Sequence, residues 1–360
     1  AADPRDRSAW ARNAGLAVLR SQKKGQSPEE QIMAVLKWGT HGGWHGHFDR
    51  ISLLHLQRYG RSFYHPLSAF KGYLKDQYKM WDQASASHNM VVVDERQQEP
   101  VESNLLFFAA GEMVQAAAAQ TRARWAQVPD WMKFYPLRYG PDLYRTGVHY
   151  DPNFEPVLQR RLLVVTDDYL LIDDYLSGDR QHTYDWLLHP VGFQSLQAQS
   201  KSFLRHEPRA SDERISSYRY ITDCDWYAVE APVLTKFKDD VLKLDVHTLW
   251  PRRSELMVGY FPSAGPKPAQ ETQARRTLLV RTRARQGRFI TVIEPYRDRP
   301  MIQATQALAP GRIKVSLVDG REQDITIENF TAPQARIIIH IEEKRQGQIL
   351  RSEVLRNAVR

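Results

Sequence analysis

Cysteine is nearly missing from this sequence: Cys224 stands alone in 360 residues. No disulfide framework can therefore form within the chain, and its core has to come from apolar packing. Long hydrophobic runs are missing as well. Nowhere do about eighteen apolar residues follow one another, which excludes a membrane-spanning helix. The opening stretch, Ala1-Ala2-Asp3-Pro4-Arg5-Asp6-Arg7, has no apolar segment of the signal-peptide kind. The expectation is a chain that begins partway into a longer product. There is also no internal repeat, no low-complexity linker and no dense block of Lys and Arg. The 50 basic and 42 acidic side chains are dispersed and leave a formal charge of +8. Such an excess favours polyanionic partners, but without a basic arm or a recognisable module it argues against nucleic acid.

What is present is the composition of a globular protein, 42% hydrophobic and 26% charged. Most segments read as short strands. Gly15 to Arg20, Gln31 to Trp38, Met90 to Val93, Arg161 to Ile172, Arg288 to Ile293, Ile313 to Leu317 and Arg336 to Ile341 are apolar runs. Turn signals at Ser177-Gly178-Asp179, Gln286-Gly287 and Asp319-Gly320 separate several of them. Many short strands without alternating long helices predict a mainly β protein, a large antiparallel sandwich with few short helices. Leu67 to Ala86 is a candidate for those helices. Glu112 to Trp125 fits a helix, while Asn104 to Ala119 fits a strand pair. Pro262 to Thr272 is the best loop candidate, either a boundary or a long surface loop within one sandwich, so a sandwich over 1–265 is followed over 266–360 by further β-strands that continue it or form a small C-terminal β subdomain.

Half of the 12 histidines fall between residues 41 and 88. The densest part is His41-Gly42-Gly43-Trp44-His45-Gly46-His47-Phe48-Asp49. In extended structure His45, His47 and Asp49 share one face, because strand side chains alternate. Two imidazoles and a carboxylate on one face suit a metal site, an acid/base site, or both. His65 and His88 are further imidazoles, and His88 directly precedes the β-branched strand Val91 to Val93. Isolated histidines such as His149, His206, His247 and His340, and His55 within an apolar run, read as structural.

The segment Gly42 to Leu53, followed by Tyr59-Gly60-Arg61, resembles the HxHxD-and-glycine signature of the heparinase II/III-like polysaccharide lyases. His88-Asn89-Met90-Val91-Val92-Val93-Asp94, with Gln97 or Gln98 following, is similar to that family's HN strand. A third match is Tyr169 to Tyr175, followed by His182 to His189. The three occur in order over residues 15 to 190. Tyr64-His65-Pro66 and the HN strand look most like the exo-acting heparinase and alginate-lyase branch.

The resemblance implies a sandwich that normally follows an amino-terminal (α/α) toroid, with the active site between the two. No series of amphipathic helices for a toroid is legible here, so the expectation is the carboxy-terminal half of an enzyme of the periplasm or of secretion. The activity implied is β-elimination on a uronic-acid polymer, heparin or heparan sulfate or alginate. Such a reaction must remove the C5 proton, expel the oxygen at C4 and quieten the C5 carboxylate charge. By family position His45 and Tyr78 are the catalytic candidates. Tyr73, Trp44, Arg50 and Arg61 are candidates for substrate contact, the arginines because guanidinium takes carboxylate or sulfate in bidentate fashion. Arg58 and Arg96 are weaker ones. His47, His65 and His88 fall where the family binds a structural zinc, with His65 in place of the usual Asp. Asp185 and His189 match a family motif but read as structural. The competing expectation is a non-catalytic sandwich that binds acidic glycans through its basic surface. A self-contained metal-dependent hydrolase would need an open zinc position within this chain.

Overall fold

The computed structural model describes residues 7–39, 46–63, 78–126, 153–213, 216–262 and 276–357. Within them nearly all regular structure is antiparallel β. A first sheet joins β1 (Ala9–Ala11), β2 (Leu16–Arg20), β3 (Met33–Lys37), β4 (Ser52–Arg58) and β5 (Arg61–Ser62) in chain order. The central sheet runs through β8 (Ser103–Ala110), β9 (Gln115–Ala123), β11 (Val157–Val165), β12 (Leu170–Leu188), β17 (Arg276–Tyr296), β15 (Leu242–Trp250), β14 (Thr222–Asp239) and β13 (Phe193–Arg209). β6 (Val91–Val93) pairs with β12, and β16 (Arg253–Tyr260) with β14 and β17. A last sheet is built from β18 (Ile302–Ala309), β19 (Arg312–Leu317), β20 (Arg321–Glu328), β21 (Ile338–Arg345) and β22 (Gln348–Arg356). Two short strands, β7 (Gln97–Gln98) and β10 (Trp125–Ala126), pair with each other.

The period of two along the central strands produces two cores. Ala117, Ala119, Leu163, Val165 and Ile172 pack with Leu36, Leu53 and Leu56 of the first sheet. Ala116, Ala118, Leu162, Val164 and Val292 pack with Val315, Ile325 and Ile339 of the last. A sheet covered on both faces needs apolar residues at successive positions, so its strands read as unbroken apolar runs.

Several expectations change. The run from Arg161 to Ile172 is two strands, β11 and β12, joined by a turn in which the Thr166 amide donates to the Tyr169 carbonyl. Ser177-Gly178-Asp179 and Gln286-Gly287 are not turns: β12 and β17 run through them, with a register shift between Ser177 and His182. These glycines make room for rings instead. A Cβ on Gly178 would lie 2.5 Å from the His182 ring, and one on Gly287 would lie 2.6 Å from that of Tyr184. Asp319-Gly320 does turn, with Gly320 at a φ of 81°. The helix candidate over 112–125 is instead the β8–β9 turn at 112–114 followed by β9 and the start of β10. Of the helical stretch, only a π-type turn at Tyr78–Asp82 and a 3-10 turn at Ser85–Ser87 lie among the described residues. Most of the Pro262 to Thr272 loop candidate lies outside them.

Candidate active site at the histidine loop

The site is built where three segments meet above the first core. The first leaves β3. Gly15 and Gly39 approach so closely that a Cβ on Gly15 would sit 1.9 Å from the Gly39 Cα. That contact fixes the departure of the chain toward the histidines. Residues 46–50 are irregular rather than extended, and β4 begins only at Ser52, which corrects the expectation of a strand face carrying His47 and Asp49. Hydrogen bonds from the second segment hold this loop. The Phe48 amide donates to the Gln83 carbonyl at 2.9 Å, and the Gln83 side chain donates to the Gly46 carbonyl at 2.9 Å. Ser85 Oγ donates to the Phe48 carbonyl at 2.7 Å.

The third segment, β7, locks both. Gln97 Oε1 accepts from the Ser85 amide at 3.0 Å, and Gln98 Oε1 accepts from the Arg50 amide at 2.9 Å. Gln98 Nε2 donates at 3.0 Å to Gln159 on β11, and Gln159 donates at 2.8 Å to the Val91 carbonyl. Each glutamine amide carries one acceptor and two donors, so a buried pair can satisfy several orphan backbone groups at once. Asn89 acts in the same way: its amide donates to the Leu53 carbonyl at 3.1 Å and accepts from the His189 amide at 2.8 Å. Its own carbonyl accepts from Arg161, which is held at 2.7 and 2.9 Å by Asp174.

This frame brings His47 and His88 together. His47 Nδ1 lies 2.9 Å from His88 Nε2, and Asp49 Oδ2 lies 3.5 Å from the same His88 nitrogen. Ser87 Oγ donates to the Ala84 carbonyl at 2.9 Å, so its contact of 2.7 Å with His88 Nδ1 is best made as an acceptor. That places the His88 proton on Nδ1 and turns the Nε2 lone pair toward His47 and Asp49. Burial pushes the His88 pKa down to about 3 against the pull of Asp49, so the imidazole is neutral at ordinary pH. Burial opposes ionisation of Asp49 too, but His88 and the ammonium of Lys37 outweigh it and draw its pKa down to about 2. Lys37 Nζ reaches both carboxylate oxygens, at 2.7 and 2.8 Å.

Two half-buried imidazoles with facing nitrogens fit two ligands of a zinc ion. Among the described residues no group of three or more His, Cys, Asp or Glu is arranged to hold a metal. The third residue of the expected set, His65, lies outside the described residues, as do His45, Trp44 and Tyr73. Tyr78 opens the π-type turn that leads into the site. Arg50 does not face a polymer: it is 1% exposed and donates to the His47 carbonyl at 2.6 Å, bracing the loop from beneath. Arg58 is likewise buried and donates to the Pro295 carbonyl. Arg61 is exposed and lies 3.3 Å from Asp240. The third motif is a set of buried ion pairs, with Asp174 on Arg161, Asp173 on Arg288 and Asp185 on Arg281. Tyr218 also donates to Asp185, at 2.8 Å. His189 packs edge-on against Trp81 and Phe261. Lys37, Gln83 and Ser87 were not singled out in the sequence. A lysine ending an apolar strand and a serine before His-Asn are common enough to carry no signal until the loop folds onto them.

The family model described as heparinase II/III-like, C-terminal, matches residues 3–218. No curated protein matches the chain. Among solved structures, a heparinase III gene product is 16% identical with a TM-score of 0.56, covering 99% of this chain and 43% of its own. A heparan sulfate lyase from Pedobacter heparinus is 14% identical with a TM-score of 0.54, covering 89% of this chain and 42% of its own. Another heparinase III is 12% identical with a TM-score of 0.51, over 99% and 43%. At these identities the likeness is one of fold. The chain spans less than half the length of each.

Proposed function

The chain belongs to the heparinase II/III-like family of polysaccharide lyases, and from that premise we propose that it forms the β-sandwich wall of a lyase acting on a uronic-acid polymer. The observation that carries the reading is the lashing of residues 46–50 to the Ser85–Asn89 segment through Gln97 and Gln98. Such a frame holds residues 46–50 in place, and positioning is what a reacting histidine such as His45, next in sequence, requires.

In the proposed reaction a base takes the C5 proton and the C–H electron pair becomes the C4–C5 double bond. The C4–O bond breaks, and the leaving oxygen takes its electron pair and receives a proton. His45 faces the C5 carboxylate or the proton in transit, and Tyr78 is the second acid/base group. Arg61 and the aromatic rings of Trp44 and Tyr73 border the polymer. His47 and His88, with His65, would hold a zinc ion whose chemistry is structural, fixing the loop that presents His45. The other wall of the cleft would be an amino-terminal toroid of the same gene product. Heparan sulfate and alginate are the two substrates proposed.

The test uses the full-length gene product and follows ultraviolet absorbance of the unsaturated uronate on heparan sulfate, alginate and chondroitin sulfate. His45→Ala should lower kcat by about 100-fold or more, the usual worth of a positioned acid/base group. Equal rates in wild type and variant would remove His45 from the chemistry. Metal analysis should find zinc, and His88→Ala should lose it.

A further inference from the structure

A cavity of about 470 Å³ opens on the central sheet. It lies on the face opposite the histidine loop. Adjacent residues of a strand point to opposite faces, and on β11 Gln159 reaches toward Gln98 while Arg160 reaches the turn at residues 330–333. The cavity sits where the last sheet ceases to cover the central one. Its floor is a cross-strand row, Asn104, Gln120, Arg160 and Tyr175, in register across β8, β9, β11 and β12. Two residues along the same face the sheet is apolar, with Ala118 and Leu162 in the core. A polar row at that edge is not needed for packing.

Arg160 is the informative member. It is only 3% exposed, yet no carboxylate neutralises it among the described residues. Its neighbours Arg161 and Arg288 each hold an aspartate. Arg160 donates to neutral oxygens alone: Gln120 Oε1 at 3.0 Å and the carbonyls of Phe330, Ala332 and Pro333 at 2.8, 2.7 and 3.2 Å. Those contacts use four of the five guanidinium N–H groups and fix the group rigidly in the wall. A buried cation without a counter-charge is costly unless a ligand supplies one. Arg122, exposed on the same wall, has among the described residues only a long contact of 3.5 Å to the Pro156 carbonyl. Among the described residues the one lining carboxylate, Glu102, leaves a single positive charge in excess.

We propose that this cavity binds one anionic sugar unit, with its carboxylate or sulfate between Arg122 and Arg160. Asn104 and Gln120 match sugar hydroxyls, and the half-buried ring of Tyr175 offers a face to the sugar. The volume suits a small organic ligand and exceeds what one inorganic anion fills. The choice of a saccharide rests on the lyase reading, whereas the preference for an anion stands on the arginines. In a processive or multi-contact enzyme such a subsite would hold a distant part of the polymer, away from the reacting bond.

Calorimetric titration of the 360-residue chain with digalacturonate, a sulfated heparin disaccharide, inorganic sulfate and cellobiose tests this. One or both acidic disaccharides should bind, and whichever binds tighter identifies carboxylate or sulfate as the anchored group. Arg122→Glu should weaken binding at least tenfold, Glu102→Gln should tighten it, and Arg253→Ala, at an exposed arginine of β16 outside the cavity, should leave it unchanged. No binding of either acidic disaccharide, binding indifferent to Arg122→Glu, or binding lost with Arg253→Ala would overturn the site. Cellobiose or free sulfate binding as tightly as the acidic disaccharides would overturn the anionic sugar as its ligand. If the full-length protein makes no unsaturated product while the Arg122-dependent binding persists, the lyase reading falls and this site stands.

Discussion

Glu294, near the end of β17, is 1% exposed, and its carboxylate accepts from the amides of Met301 and Ile302 where the chain enters β18. Burial raises its pKa to about 7, the two amides oppose the rise, and Asp245 across the strand pair adds to it. A carboxyl whose pKa is higher folded than unfolded holds an extra proton in the folded state between the two values. Stability from this group is therefore full below the unfolded value of 4.5 and falls as pH rises to about 7. The loss is about 3 kcal/mol, from roughly 1.4 kcal/mol per pKa unit. Urea unfolding of wild type and Glu294→Gln at pH 4.5 and pH 8 should show the variant gaining on wild type by that order at the higher pH. A constant difference would mean that Glu294 does not titrate in this window. Glu294 was not legible in the sequence, because what distinguishes it is burial beside Asp245, a charge contributed from far along the chain, and Lys37 was not, because its carboxylate partner Asp49 reaches it only once the irregular loop folds back. His47 and His88 were legible, since imidazoles beside glycine and before Asn-Met-Val-Val-Val form an uncommon local pattern.

β7 is two residues long, yet it joins the histidine loop to the central sheet. Removing the Gln98 amide would leave the Arg50 amide and Gln159 Oε1 without their partners. Unsatisfied buried groups cost about 1–3 kcal/mol each, so Gln98→Leu should destabilise the protein by a few kcal/mol at most. The larger effect should be local. Amide hydrogen exchange at Phe48 and Arg50 should quicken relative to that at Val164 in the central sheet, and zinc content, where zinc is bound, should fall with it. Exchange quickened equally everywhere would mean that Gln98 supports the whole fold and not the loop. At this scale the strands over Leu16 to Arg20, Met33 to Lys37 and Val91 to Val93 were readable from short apolar runs. The lengths of β12 and β17 were not. Gly178 and Gly287 look like turn signals in sequence, and only the rings of His182 and Tyr184 packed on them show why glycine is needed inside a strand.

Three stacked sheets bear on whether residues 266–360 continue the sandwich or form a small subdomain, the two alternatives left open by the sequence. The packing argues that they do not fold apart from the rest. The face of the central sheet under the last sheet carries Ala116, Ala118, Leu162, Val164, Leu171, Ile290 and Val292, all fully buried. β17 itself, at Arg276–Tyr296, lies in the middle of the central sheet between β15 and β12. Polar contacts close the same boundary. Glu353 of β22 accepts from the amides of Glu112, Met113 and Val114 at the β8–β9 turn, and Arg321 of β20 pairs with Asp168 at 3.1 Å. A chain ending at residue 300 would expose this apolar face, an area well beyond the few hundred Å² that monomers usually leave open. It should therefore bind a hydrophobic dye and aggregate, while the 360-residue chain should unfold in one cooperative transition by calorimetry. Two resolved transitions, with a soluble truncated chain, would restore the last sheet as an independent domain. In that case the cavity walled by Arg160 and the 330–333 turn would lie at an interface able to open.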